Sequence, residues 1–414
     1  MPELRPFPAL RFAESAGDLS LLLAPPYDVI DPDQAAELAA RSEHNCVRVI
    51  LPAGPEDTRY DAAAAILRGW ISRGILATDR EPSAYVYRQE FEADGKRTER
   101  TAVFAALRLT RYAEQVVLPH ERTHSGPKKD RLALTLATRT QLSPVFMVAR
   151  DSSGTFHRLS RQALAQAPAA QATTPDGIRH TLWRLTGDEA ASLLSVAGAG
   201  PLLIADGHHR YETALAAAEL LGDNVKAAYL LTCIVSQEDP GLLVRPTHRV
   251  LSGPPTGGAG SFDWPAALLG SFELEDLGAL PLRGLEDRAA SLPTGAFLVA
   301  PEGSRVVSLA TARPLALSEA GIPDQEARIA PIVFDRLVLG ALYGVEADEA
   351  AHRGILSYSR TPIAAPKGSG GCSFVLPPVS LDDVWATALR GGRLPPKSTY
   401  FEPKIPSGLL FRPL

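Results

Sequence analysis

Apolar and polar positions along the chain change their period several times, and each change marks an element. In "YDAAAAILRGWISRG" (60–74) the apolar residues fall on one helical stripe that stops at Gly74. "QAAELAARS" reads as a helix capped by Asp31 or Asp33. "SAYVYRQEF" and "RTAVFAALRL" alternate instead, and the Asp-Gly of the intervening "ADGK" predicts a hairpin. From "RHTLWRL" onward the pattern runs strand, helix, strand, helix, strand. "GDEAASLLSVAG" is the first helix, "GPLLIA" a short buried strand, "HRYETALAAAELLG" a helix stopped by Gly222, and "AAYLLTCIV" a second buried strand. Further on, "GAFLVAP", "RVVSLA" and "CSFVLP" predict strands, and "ARIAPIVFDRLVLGALYG" and "LDDVWATALRGG" predict helices. Such alternation predicts a mixed α/β (α+β) protein of several domains.

A length of 414 residues implies two or three cores. The polar stretch "AQAPAAQATTPDG" (165–177) and the Gly- and Pro-rich "SGPPTGGAGS" (252–261) are the best breaks. They suggest an N-terminal α/β domain over 1–150, a central domain over 151–252, and a C-terminal α/β domain with a basic tail over 262–414. The 45 % apolar content is that of a globular protein, and no run approaches the ~20 apolar residues of a membrane span. The opening "MPELRPFPAL" lacks the layout of a secretory signal. A net charge of -5 and the lack of a basic helix count against nucleic acid as a partner. The three cysteines are widely scattered and read as small buried hydrophobes. The expectation is a cytoplasmic protein acting on small molecules, away from membranes.

His120-Glu121-Arg122-Thr123-His124 fits the H-E-x-x-H spacing in which two histidines bind zinc and the glutamate activates water. The pattern works only on a helix. Ser125-Gly126-Pro127 directly after it is expected to end any helix within about one turn. No third ligand stands at a useful spacing. His120 and Glu121 are therefore expected to serve a polar cleft, and no metal site is assigned. Lys128, Lys129 and Arg131, behind the Gly-Pro turn, read either as a solvated surface or as an anion clamp.

The most informative stretch is "LLIADGHHRYETALAAAELL". A buried strand ends at Ala205, Asp206-Gly207 turns, and a helix opens at His208 or His209. Free N–H groups and the helix dipole gather anions at such a place. Gly207 permits close approach, and His208, His209 and Arg210 add hydrogen-bonding or cationic groups. Glu212 reads as a favourable charge in the first turn, an orienter of a histidine, or a general base. "RPTHRV" follows the next strand, and His248 and Arg249 are placed as candidates facing the same pocket from a neighbouring strand.

"APPYDVI" (24–30), "HERT" with "PKKDRL" (120–132), "IADGHHRYETAL" (204–215), "EDPG" with "PTHRV" (238–250) and "PPKSTYFEPKIPSGL" (395–409) resemble, in order, one bacterial and archaeal family. It is catalogued as domain of unknown function 1015. The family pattern keeps the His-Glu and Thr of "HERT" but calls for no histidine at His124, which makes the zinc spacing an accident. Pro395-Pro396 departs from the more usual Met-Pro but leaves Lys397, Ser398 and Thr399 in place. The turn at Asp206, Gly207, His209 and Arg210 is also similar to the nucleotide-binding turn of the ParB and sulfiredoxin-like fold, which includes free-serine kinases. That resemblance implies a central strand-turn-helix domain flanked by two α/β parts.

The leading expectation is a phosphoryl-transfer enzyme on a small hydroxylated metabolite, serine or phosphoserine, with ATP or ADP and Mg2+. In it, Gly207, His208 and Arg210 hold phosphate, His209 neutralises charge, and Glu121, Glu212 or Asp206 takes the hydroxyl proton. Lys128, Arg131, Lys397, Ser398, Thr399 and Lys404 would complete an anion-lined cleft if the tail folds back, with Tyr27, Asp28 and His120 toward the substrate. The alternatives are a nucleotide- or effector-binding regulator and, third, a metal-dependent hydrolase using His120 and His124.

Overall fold

The computed structural model describes residues 1–122, 125–255, 262–282, 284–304 and 306–414. The chain divides into two compact units: Met1–Pro119 with Thr123–Leu243 and Pro403–Leu414, and His120–Arg122 with Val244–Glu402. This differs from the three consecutive domains suggested by the sequence. Strands within 4–149 and within 170–236 share one sheet, the polar run 165–177 contributes an edge strand to it rather than a boundary, and His248–Leu251 belongs to the second unit. Local composition registers where a chain leaves an element, whereas strand pairing joins segments far apart in sequence.

The first unit is built on strands β1 (Leu4–Arg5), β2 (Ala84–Ala93), β3 (Lys96–Arg108), β4 (Val117–Leu118), β5 (Val145–Ala149), β6 (Ala170–Thr173), β7 (Arg179–Leu185), β8 (Leu202–Asp206) and β9 (Tyr229–Ser236). They form a nine-stranded sheet in the order β4-β8-β5-β9-β3-β2-β7-β6, with β1 also on β3. Pairing is mixed: β8 with β4 and β9 with β5 are parallel, and the other pairs are antiparallel. The β2–β3 hairpin turns through Asp94 and Gly95 at φ 52° and 70°, the left-handed pair that an Asp-Gly turn demands. β9 is buried along its whole length, as a strand covered on both faces must be. Leu193 and Leu194, from the helix Gly187–Ala197, pack on Val103, Met147, Ile204 and Ile234 of the sheet.

A second apolar cluster joins Leu67 and Trp70 of helix α1 (Arg59–Ser72) to Val47, Ile50, Leu134 and Phe411. Leu134 belongs to helix α2 (Ser125–Thr138). Phe411 belongs to the chain's last segment, which is tied down by reciprocal Leu10–Phe411 backbone bonds of 3.0 and 2.9 Å. Of the tail, Pro403–Leu414 with Lys404 belongs to the first unit, whereas Lys397, Ser398 and Thr399 belong to the second. The three cysteines are all buried and free.

The second unit carries a six-stranded antiparallel sheet. Its strands are β10 (His248–Leu251), β11 (Phe272–Ala279), β12 (Phe297–Pro301), β13 (Val306–Ala312), β14 (Leu356–Ser359) and β15 (Cys372–Val375), in the order β11-β13-β12-β15-β10-β14. Phe272, Phe297, Phe334 and Phe374 contact one another edge to face in its core. The single helix expected from "ARIAPIVFDRLVLGALYG" is instead a short α-helix, Ala330–Phe334, continued by a π-helix, Asp335–Tyr343. No helix among the described residues is long and apolar enough to cross a membrane.

Candidate functional site

β8 delivers its last residue, Asp206, to the start of helix α3 (His208–Leu221). Its ladder with β5 shifts register between Ile204 and Asp206, an irregularity that re-aims the residue beyond it. Asp206 does not stand open. Its Oδ1 accepts from Lys404 and its Oδ2 from Arg210, and Arg210 donates its remaining terminal nitrogen to the Pro144 carbonyl. Burial alone would raise the Asp206 carboxyl, but Lys404 and Arg210, with His208 further off, outweigh it and hold the group well below the usual carboxylate range. For Arg210, burial opposes the charge, yet Asp206, with Asp28 and Tyr27 beyond it, raises its affinity for the proton. Lys404 is presented by its own backbone, whose carbonyl accepts from the Gln89 amide at 3.0 Å.

Gly207 has two reasons to be glycine. Its φ is +97°, and a Cβ there would lie 2.9 Å from Arg210 Nε. Gly207→Ala should therefore cost about 1–3 kcal/mol of stability from backbone strain and push Arg210 off Asp206. Urea denaturation checks this, and a midpoint equal to the wild type's would show that the turn tolerates a side chain.

α3 opens without a side-chain cap, His208 is buried, and His209 and Arg210 are half-buried. Glu212 Oε2 accepts from Lys128 Nζ at 2.9 Å, across from α2. Both side chains are partly exposed, so the pair contributes little stability. Nearby, a cavity of about 50 Å³ is lined by Tyr27, Arg131, Gln141, Ser143, Arg210 and Thr213, among others. That is room for one or two water-sized groups, at ~30 Å³ each, and too little for a nucleoside. The Arg131 guanidinium lies 4.1 Å from the Tyr27 ring centroid and donates to Asp130, which also accepts from Arg59 and from the Tyr60 hydroxyl, each at 2.7 Å. Burial raises the Tyr27 phenol, partly offset by Arg210. Asp28 is exposed.

The remaining candidates belong to the second unit. His120 Nε2 shares a 2.8 Å hydrogen bond with the Thr399 hydroxyl, and its ring lies edge-on to Phe401. Glu121 Oε1 accepts the Lys397 backbone N–H at 3.0 Å, and Lys397 holds a left-handed φ of 55°. The Ser398 hydroxyl donates to the Pro395 carbonyl at 2.6 Å. Arg249 donates to the carbonyls of Thr247, Lys397 and Pro396 and lies 5.1 Å from the Tyr358 ring centroid. His248 Nδ1 accepts from Leu376 N–H at 3.2 Å, and burial, then Arg249, lowers its pKa to about 4. A histidine held neutral in this way offers no cation to a phosphate.

Several expectations need correcting. β10, which carries His248 and Arg249, is not a neighbour of β8, because the two strands belong to different sheets. Ser125-Gly126-Pro127 opens α2 rather than ending a helix, so Lys128 and Arg131 stand on a helix. A proline in the first turn is a start signal, since the N–H it lacks would have had no partner there. His124 lies outside the described residues, and among those described no group of three or more His, Cys, Asp or Glu is placed to hold a metal ion. Sequence reasoning missed Arg59, Tyr60 and Asp130, which brace Arg131. It also missed the Pro144 carbonyl and Gln141, and backbone groups and lone amides leave no motif.

Compared with known families, the chain belongs to the family described as "Protein of unknown function (DUF1015)", which matches residues 4–318. No curated protein matches it. Solved structures with similarity include a free serine kinase variant in complex with ADP, at 13% identity and TM-score 0.34, covering 72% of this chain and 87% of that one. A conserved hypothetical protein from Pyrococcus furiosus has 16% identity and TM-score 0.30, covering 74% and 93%. SbnI with a C-terminal truncation, from Staphylococcus aureus, has 12% identity and TM-score 0.36, covering 73% and 85%.

Proposed function

We propose that the first unit binds the phosphate of a small metabolite or nucleotide at the start of α3 and transfers a phosphoryl group to or from a hydroxyl. The observation that carries this reading is the charge balance at Asp206. One carboxylate is held by two cations, Arg210 and Lys404, beside a helix start that no side chain caps. Transfer of a phosphoryl group needs chiefly such fixed positive charge and positioning. Within this reading Gly207, His208 and His209 approach the phosphate, and Glu212, released from Lys128, takes the hydroxyl proton. Arg131 and Tyr27 orient the acceptor. Asp206 is a positioning residue, because a carboxylate spent on two cations is a poor base. Serine is the acceptor we favour, with ATP or ADP and Mg2+ on the donor side, and phosphoserine is the donor in the reverse direction.

One observation favours a second reading, an effector-binding protein without turnover: the carboxylate nearest the helix start is already neutralised. Mass spectrometry of the full chain with Mg2+, ATP or ADP and L-serine, beside a mixture started from phosphoserine, separates the two. Phosphoserine formed forward, or serine formed in reverse, with loss of about a hundredfold in Glu212→Gln as expected for a general base, supports transfer. Nucleotide binding without conversion in either direction would favour the effector reading.

A further inference from the structure

The proposed transfer uses neither the Glu-Asp-Pro-Gly block at 238–241 nor the pair Gln89 and Arg100, yet all lie in the first unit with Asp206 and Lys404. Gln89 on β2 and Arg100 on β3 are direct cross-strand partners, and both are buried. Arg100 donates from one terminal nitrogen to Gln89 Oε1 and to the Pro403 carbonyl. A guanidinium has donors only, so Gln89 must turn its oxygen toward Arg100. That leaves the amide N–H for the Lys404 carbonyl, at 3.0 Å. Two consecutive carbonyls, those of Pro403 and Lys404, are thus bound by side chains of one hairpin. Lys404 itself lies outside any helix or strand, where no ladder fixes the backbone.

The 238–241 block braces this pair. Asp239 accepts the Thr101 backbone N–H at 2.9 Å and that of Gly241 at 2.8 Å. Burial raises the Asp239 carboxyl, and those two N–H groups, then His157 and Arg100, oppose the rise. A Cβ on residue 241 would lie 2.3 Å from the Glu99 carbonyl oxygen and 2.9 Å from Arg100 Cβ, so only glycine lets the loop press on β3 there. The Arg100 guanidinium also lies 4.7 Å from the Phe146 ring centroid, and Phe146 is the strand partner of Asp206.

We propose that Gln89 and Arg100 are positioning residues of the phosphate site: they fix the backbone of Lys404 so that its ammonium stays on Asp206, while Asp239 and Gly241 seat Arg100. This rests on the phosphate reading for what Lys404 serves, but not for whether Lys404 is held. A lysine carries its charge on a flexible four-carbon stem, which keeps one geometry only when its root is fixed. With Lys404 on Oδ1, Arg210 keeps Oδ2, and the turn at Gly207 offers an arriving anion one constant arrangement.

Acetic anhydride labelling of the full chain, read lysine by lysine through peptide mass spectrometry, tests the positioning with no ligand present. The Lys404 side chain is 15 % exposed and ion-paired, and exposed Lys96 and Lys226 serve as internal references. Gln89→Met keeps the length but has no donor for the Lys404 carbonyl. It should speed Lys404 labelling by about fivefold, the worth of one net hydrogen bond, toward the rate in Asp206→Asn. Leu193→Ala, a truncation in the apolar core, should lower the thermal midpoint and leave Lys404 labelling unchanged, which separates positioning from general loosening. Titration calorimetry with inorganic phosphate reads the consequence, and Gln89→Met should bind it about fivefold more weakly than wild type. Lys404 labelled at the wild-type rate in Gln89→Met, or equally fast in Leu193→Ala, would overturn the proposal. So would a phosphate affinity that stays unchanged while Lys404 is released. A wild-type chain that binds no phosphate would instead remove the phosphate reading, and the labelling would still decide whether Gln89 and Arg100 position Lys404.

Discussion

Arg210→Ala should destabilise the first unit by about 3 kcal/mol, and the loss should appear before any ligand is added. The side chain is only 9 % exposed and is bound to Asp206 and to the Pro144 carbonyl. Removing one member of a buried ion pair leaves an uncompensated charge, at a cost of about 3–5 kcal/mol. The lower end applies because Lys404 stays on Asp206. Arg210→Lys should recover only part of the loss, since one ammonium on a shorter reach cannot serve both a carboxylate and a carbonyl as a guanidinium fork does. The pH dependence has a definite sign. Asp206 titrates lower in the folded than in the unfolded chain, so its contribution is complete above the unfolded value of about 3.9. It is lost as pH falls toward the folded value. Wild type and Arg210→Ala should therefore converge in strong acid. Urea unfolding followed by circular dichroism at neutral pH and at pH 3 measures both effects. A variant within about 0.5 kcal/mol of wild type, the usual range for surface substitutions, would place Arg210 outside the core of the turn.

That expectation reverses what the sequence suggested for Arg210, a cation turned toward a ligand. The strand-turn-helix itself was legible, because a buried apolar run, a Gly turn and a helical stripe each carry a local signal. What the turn's side chains do was not. Asp206 and Arg210 are four apart on opposite sides of a glycine, and the same carboxylate also takes Lys404, some two hundred residues later. Similarly, "RPTHRV" looks like a second cationic knot, yet Arg249 spends itself on carbonyls and His248 is held neutral. A charged residue in a motif reads the same whether it faces a ligand or braces a turn; only its partners distinguish the cases. Asp335 shows the converse failure. Within "APIVFDRLVLGALYG" it resembles one polar residue on the outer face of an amphipathic helix. The widening of the helix at that residue, which no periodicity announces, accompanies its burial.

The same residue supports a second large effect, of opposite sign to that of Asp206. Asp335 titrates at about 7 in the folded chain, because burial outweighs the attraction of Arg249. In the unfolded chain an aspartate titrates near 3.9. Between those values the folded state binds more protons, so stability falls as pH rises. The contribution is fully present below the unfolded value and has been lost by the time pH passes the folded one. A shift of this size corresponds to an order-of-magnitude loss of 2–4 kcal/mol between pH 4 and pH 8. Asp335→Asn removes the titration and keeps the shape. It should equal or slightly trail the wild type at pH 4.5 and exceed it at pH 8. Asp206 does not confuse the comparison, since its contribution is constant throughout that range. Denaturant unfolding of both proteins at pH 4.5, 6 and 8 gives the difference directly, and parallel curves would mean that Asp335 titrates as an ordinary carboxylate. If the variant gains stability at pH 8, the wild-type chain retains an unfavourable buried carboxylate at neutral pH.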